Sequence, residues 1–152
     1  MLVIFKAIEF YLFADRDRAL RRALEQRYLL ADMVQIREQT SSNARIVWFA
    51  PNYLNLLAGR FGVGLDDWGV LKNLPDLARA LAEAKADYVL LTRINPRDTR
   101  ETFDGLALLP AFAPLALPVW RALDPDGKER SILMRIDNER MSFFETTSKS
   151  DG

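Results

Sequence analysis

Residues 73–94, NLPDLARALAEAKADYVLLTRI, contain the clearest structural pattern in the chain. Asn73 can cap a helix whose first turn holds Pro75 and Asp76, because a proline and an acidic side chain both suit a helix start. Apolar residues then recur at helical spacing up to residue 82. Residues 88–94 are apolar almost throughout, as in a strand that is covered on both faces. The stretch therefore predicts a helix followed by the central strand of an α/β sheet.

Two shorter strands are predicted before this unit, at residues 45–50 (RIVWFA) and 60–65 (RFGVGL). Between them, a two-turn helix is expected to begin after Pro51 and to end at Gly59, which can adopt the left-handed conformation.

Residues 15–40 predict a long helix that precedes these strands. A broad apolar face follows the 3.6-residue period, and Leu29, Met33 and Ile36 interrupt the opposite, polar side. We expect the domain to cover this helix on two sides. The alternative is that these three residues form a docking surface for a partner or for another part of the chain. The broad apolar face consists of Leu20, Ala23, Leu24, Tyr28, Leu30, Ala31 and Val34.

The C-terminal part predicts a hairpin, because residues 119–123 and 131–136 flank the turn sequence DPDG at residues 124–127. Residues 106–120 are uncharged and contain three prolines, so an irregular crossover is expected to cap the core, with Phe112 and Leu115 inward.

Together these elements predict an α/β fold: a mixed, mostly parallel sheet of about five strands, with helices on both faces and a C-terminal β-hairpin. The predicted organisation is an apolar segment at residues 1–14, one α/β domain at residues 15–137 and a polar tail at residues 138–152.

Composition excludes several classes of function. The chain has 152 residues, enough for one domain, and its 21 basic residues balance 21 acidic ones. A general nucleic-acid binder needs a basic excess, so no nucleic acid is expected as a partner. There is no cysteine and no histidine, which excludes disulfides, thiolate nucleophiles and histidine-based acid–base catalysis. No catalytic residue, metal ligand or cofactor is predicted.

One polar cluster follows the predicted central strand. Arg93, Asn95, Arg97 and Arg100 lie where open α/β sheets bind ligands, beyond the carboxyl end of a strand. Arginine guanidinium groups there could bind a phosphate or a carboxylate through paired hydrogen bonds. The alternative is a solvated loop in which the arginines pair with neighbouring acidic residues.

Several short motifs, taken in order, resemble one family. They are QIRE at residues 35–38, ARIV at 44–47, LLAGR at 56–60, LA at 81–82, ADYVLL at 86–91 and PVWR at 118–121, followed by the hairpin turn. In this order they resemble the soluble C-terminal domain of bacterial multi-spanning membrane glycosyltransferases, similar to dolichyl-phosphate-mannose protein mannosyltransferases. The resemblance covers about residues 20–136, and Arg60 is added to the candidate ligand-binding residues on its account.

The resemblance implies a non-catalytic accessory domain on the extracytoplasmic face of the bacterial cytoplasmic membrane. Such a domain would support acceptor binding or the membrane part. Its implied partners are the membrane-embedded portion of a parent chain and a sugar or polyprenyl-phosphate-linked substrate.

Two alternatives remain open at this point. One is a free-standing module that binds a phosphorylated or acidic small molecule, and the other is a protein-interaction domain. The apolar segment from Met1 to Ala14 could be the end of a membrane helix or could join copies into a homo-oligomer.

Overall fold

The computed structural model describes residues 2–65, 67–94 and 104–147, which form an α/β fold with one five-stranded mixed sheet. Two short 3-10 helices, Trp68–Lys72 and Gly105–Leu108, lie in the connections. The α-helices are α1 (Leu2–Gln39), α2 (Pro51–Ala58), α3 (Leu74–Glu83), α4 (Leu109–Phe112) and α5 (Asn138–Thr147). The strands are β1 (Arg45–Val47), β2 (Phe61–Val63), β3 (Tyr88–Thr92), β4 (Ala116–Leu123) and β5 (Glu129–Ile136).

The strand order is β2-β1-β3-β5-β4, which confirms a mixed sheet but makes the expected parallel majority wrong. Strand β1 pairs in parallel with β2 and β3, through three and two residue pairs. Strand β5 pairs antiparallel with β3 and β4, through five and seven residue pairs. The sheet is mostly antiparallel because the long hairpin strand β5 lies beside β3, while β1 and β2 are only three residues long.

The core is divided between the two faces of the sheet, because successive strand residues point to opposite sides. On one face the strand residues pack with residues of α3, α4 and α5, among them Leu77, Leu81, Phe112 and Met141. On the other face they pack with residues of α1 and α2. Helices on both faces of the sheet are therefore confirmed.

The residues predicted to begin or end helices and to form the hairpin turn adopt the expected contacts and conformations. The Asn73 side-chain oxygen accepts a 3.1 Å hydrogen bond from the Asp76 backbone N–H and caps α3. Pro51 is the first residue of α2, and Gly59 ends it in the left-handed region at φ 60°. Gly127 has φ 81° in the hairpin turn.

The proline-rich crossover caps the core as predicted. It forms a 3-10 turn and the single turn of α4 before β4 begins at Ala116. Phe112 and Leu115 are fully buried against the face that carries α3 and α5.

Among its described side chains, helix α1 is covered by the domain on one side and not on the two sides expected. Leu29, Met33 and Ile36 are buried against the sheet, whereas Leu20 is 61% and Leu24 43% exposed. The broad apolar face is mostly exposed because the sheet contacts only the narrower row, which also carries the buried Asp32.

Residues 138–147, predicted as part of a polar tail, form helix α5. The Asp137 carboxylate accepts hydrogen bonds from the backbone N–H groups of Glu139 and Arg140, at 3.1 and 3.3 Å, and so caps this helix. Met141 is buried against the core.

Candidate functional site

The predicted arginine cluster can be located only at its first member. Arg93 follows β3, is exposed, and its guanidinium lies 3.6 Å from the carboxylate of Asp104. Asn95, Arg97 and Arg100 lie outside the described residues. A shared ligand site for these four residues stays a prediction.

Arg60 ties the end of α1 to the chain before β2. Its guanidinium donates to the carbonyl oxygens of Arg37 at 2.5 Å and Thr40 at 2.9 Å, and to the Thr40 hydroxyl at 2.9 Å. These contacts satisfy carbonyl groups that a helix end otherwise leaves without partners. The role that the structure gives Arg60 is therefore a helix cap.

Arg60 and Arg93 lie at opposite ends of the sheet. Arg60 directly precedes β2, whereas Arg93 directly follows β3, and both strands are parallel to β1. One small ligand cannot contact both guanidinium groups through this arrangement.

The most developed polar cluster is buried between α1 and the sheet, and sequence reasoning missed it. Asp32 of α1 and Arg130 of β5 are separated by 98 positions and form a two-point ion pair. Arg130 Nε donates to Asp32 Oδ2 at 3.0 Å, and a terminal guanidinium nitrogen donates to Oδ1 at 2.6 Å. We call this pair, together with Ser131 and Thr92, the clamp.

Neighbouring groups satisfy the remaining hydrogen-bonding capacity of the clamp. The Ser131 hydroxyl lies 2.7 Å from Asp32 Oδ2 and 3.2 Å from the Thr92 hydroxyl. The other terminal nitrogen of Arg130 donates to the Leu123 carbonyl at 3.0 Å. The Tyr28 ring covers the guanidinium at 4.5 Å, a distance that suits a cation–π contact.

The electrostatics of the clamp favour a charged Arg130. The hydrogen bond to Asp32 raises the pKa of Arg130 above its ordinary value, against the opposing effect of burial. Since its donors and acceptors are used within the chain, the clamp fixes α1 to β3, β5 and the hairpin turn rather than offering groups to a ligand.

The sequence carried only a faint signal for the clamp. Asp32 stands among Leu29, Met33 and Ile36, so a single acidic residue interrupts the apolar row that docks on the sheet. Its partner lies beyond the hairpin turn, and no local pattern pairs the two residues.

A second candidate functional feature is the part of α1 that the rest of the domain does not cover. The described side chains at positions 16 and 18–27 are all exposed, and burial begins at Tyr28 and Leu29. We call residues 16–27 the arm. Among the described residues, no helix has the length and apolar character needed to cross a membrane.

The other described surfaces are weaker candidates for a ligand or metal site. A shallow cleft of about 300 Å³ between α3 and α5 is lined mainly by apolar and small side chains, with Lys85 and Asp87 at its rim. The Asp87 carboxylate already accepts the Arg45 backbone N–H at 2.8 Å. No group of three acidic, cysteine or histidine side chains suited to a metal ion occurs among the residues described.

Comparison of the chain with protein-family models, with curated proteins and with solved structures finds no match.

Proposed function

We propose that this chain is a non-catalytic accessory domain of a membrane glycosyltransferase-like protein, positioned by helix α1 on the extracytoplasmic side of the bacterial cytoplasmic membrane. The order of short motifs along the chain supports the family. The supporting structural observation is that α1 is fixed to the domain through residues 29–36, whereas its described side chains at positions 16 and 18–27 are exposed.

The uncovered part of α1 needs a partner outside the domain. Most helical stability in proteins comes from tertiary packing of an apolar face, and the arm carries exposed Leu20 and Leu24 without such packing from its own domain. A membrane-embedded portion of the parent chain fits this requirement, because residues 1–14 before the arm are mostly apolar.

The clamp turns α1 into a rigid connection. A two-point arginine–carboxylate contact fixes orientation as well as distance. The α/β domain therefore keeps one orientation relative to whatever holds the arm. Such a connection suits a domain that supports acceptor binding or the membrane part.

The simplest test is the coding sequence upstream of this chain. The proposal requires a group of membrane-spanning helices there, each with about 20 mostly apolar residues. A reading frame without them would end the proposal.

A functional test breaks the arm and leaves the domain intact. In the full-length protein, Leu24→Pro should interrupt α1, because proline inside a helix costs about 3 kcal/mol or more. We expect glycosyl transfer to fall at least tenfold while the protein still inserts into the membrane. Leu24→Ala, at the same exposed position, removes the same side chain but keeps the helix, so this matched control should lose much less activity than Leu24→Pro. Equal activity of both variants would contradict a positioning role.

A further inference from the structure

The arm combines a local excess of positive charge with exposed leucines. Residues 16–27 contain five arginines and two acidic residues, whereas the whole chain has no net charge. Leu20 and Leu24 lie one turn apart on a side of α1 that does not face the sheet, and both are exposed. The arm is thus both basic and partly apolar.

Basic and apolar side chains share one face of the arm. At 100° per residue, Arg16, Leu20, Leu24 and Arg27 fall within a sector of about 80°. The docked residue Leu29 lies on the opposite side, so this face points away from the domain. Arg21 lies about 60° outside this sector and is also exposed.

We propose that the arm binds the surface of an anionic phospholipid bilayer. An interfacial helix places leucines at the boundary of the acyl chains and arginines at the phosphate groups. The guanidinium fork bonds phosphate oxygens in pairs, and clustered basic residues on an amphipathic helix are typical of anionic-lipid recognition. The mostly apolar residues 2–14 belong to the same helix as the arm, so both parts can reach one membrane.

The positive charge of the arm favours a lipid surface over a second copy of the chain as its binding partner. Two arms side by side would bring together segments with the same net positive charge, and like charges along a helix pair oppose association. An anionic surface neutralises the arginines instead. The inference rests on the proposed membrane attachment of α1, but it can be tested on this chain alone.

The test is binding of the 152-residue chain to vesicles of phosphatidylcholine with 30 mol% phosphatidylglycerol, measured by co-sedimentation, with pure phosphatidylcholine vesicles for comparison. We expect at least tenfold stronger binding to the anionic vesicles. Binding should fall as sodium chloride rises from 50 to 500 mM, because salt screens exposed charges.

Variants assign the binding to the arm. Arg16→Gln, Arg21→Gln and Arg27→Gln together should lower partitioning at least tenfold. The matched control removes the same charge elsewhere on the surface, through Lys72→Gln, Lys128→Gln and Arg135→Gln, and should change partitioning less than twofold. Thermal unfolding monitored by the buried Trp48 checks that both variants fold.

Three outcomes would overturn the inference. Equal binding to neutral and anionic vesicles would assign attachment to residues 1–14 alone. Wild-type binding by the arm variant would remove the arginines from the interface. A chain that ignores vesicles and dimerises in light scattering would make a second copy the partner of the arm. None of these outcomes bears on the upstream coding sequence, so failure here is distinguishable from failure of the proposed function.

Discussion

Among single residues, Asp32 and Arg130 form the contact whose removal should be most costly. Asp32→Ala would leave the guanidinium of Arg130, which is 8% exposed, without its main partner. Breaking a buried ion pair by removing one member costs about 3–5 kcal/mol, because the other charge remains buried. We expect a loss of that size in urea unfolding followed by tryptophan fluorescence.

The double variant Asp32→Leu with Arg130→Met is the control for this prediction. Replacing both charges with apolar groups leaves no buried unpaired ion, because Asp124, which also contacts Arg130 at 3.3 Å, is partly exposed. Most of the lost stability should therefore return. A single variant within 1 kcal/mol of the wild type would show that the clamp contributes little. Because the pKa of Arg130 is raised, its contribution is complete below the ordinary pKa of arginine and is lost only as the pH rises through the folded value.

Gly62 allows a second prediction at the residue scale. A Cβ atom at this position would overlap the carbonyl oxygen of Pro51, and backbone cannot move aside as a flexible side chain does. Gly62→Ala should therefore destabilise the protein by about 1–3 kcal/mol or more in the same urea measurement. At Gly64 the nearest atom to such a Cβ is the Pro51 ring carbon Cγ at 3.6 Å, so Gly64→Ala is the matched control. Equal losses for the two variants would contradict this explanation.

Residues with a local function could be predicted from the sequence. Asn73 and Gly59 act within one turn of their own helices, so a few neighbouring residues determine what they do. Arg60 and Asp32 act on partners 20 or more positions away, and their roles emerged only from the folded chain. For this reason the helix ends were predicted, while the clamp was not.

At the scale of elements, helix α1 shows where periodicity stops being informative. Its period predicted the helix correctly, but the helix has two apolar rows, and amphipathicity does not say which row meets the sheet. The narrower row of Leu29, Met33 and Ile36 docks. The protein-interaction alternative began with these three side chains, and their burial moves any docking surface to the other face.

The sheet shows a similar limit. Alternation of strands and helices predicted parallel neighbours, and β1, β2 and β3 are parallel. The sequence also predicted the hairpin. It did not indicate that β5, and not β4, would pair with β3. That choice depends on packing over both faces of the sheet, and it makes most residue pairs antiparallel.

The contrast between the exposed arm and the docked part of α1 also predicts a gradient of backbone hydrogen exchange in solution. Amide protons in residues 29–39 should exchange close to the rate of global unfolding, because this part is clamped and buried. Those in residues 16–27 should exchange roughly a hundredfold faster or more, since local opening there breaks few contacts. Mass spectrometry of peptic peptides separates the two parts. Uniform protection along α1 of a monomeric chain would contradict the division.

At the scale of the whole molecule, α1 extends well beyond the part of the domain on which it docks. The helix rises about 1.5 Å per residue, so residues 2–27 extend about 39 Å from the first buried turn. The clamp, the Arg60 cap and the docked row of Leu29, Met33 and Ile36 all lie at the C-terminal end of α1. If α1 attaches the domain to a membrane as proposed, the side of the membrane on which the domain lies decides which substrates it can meet.

The absence of cysteine makes the side of the membrane measurable by labelling. Leu123 at the end of β4 is 56% exposed, so Leu123→Cys gives the domain one reactive thiol. The family resemblance implies that this thiol is outside, so a membrane-impermeant maleimide should label it in intact cells that express the full-length protein, above the signal of the same protein without the substitution. Arginines beside an apolar segment are more common on the cytoplasmic side, so the experiment sets the resemblance against a general charge preference. Leu133→Cys, which is fully buried, should label only after denaturation. If Leu123→Cys labels only after permeabilisation, the domain is cytoplasmic and the extracytoplasmic proposal is wrong.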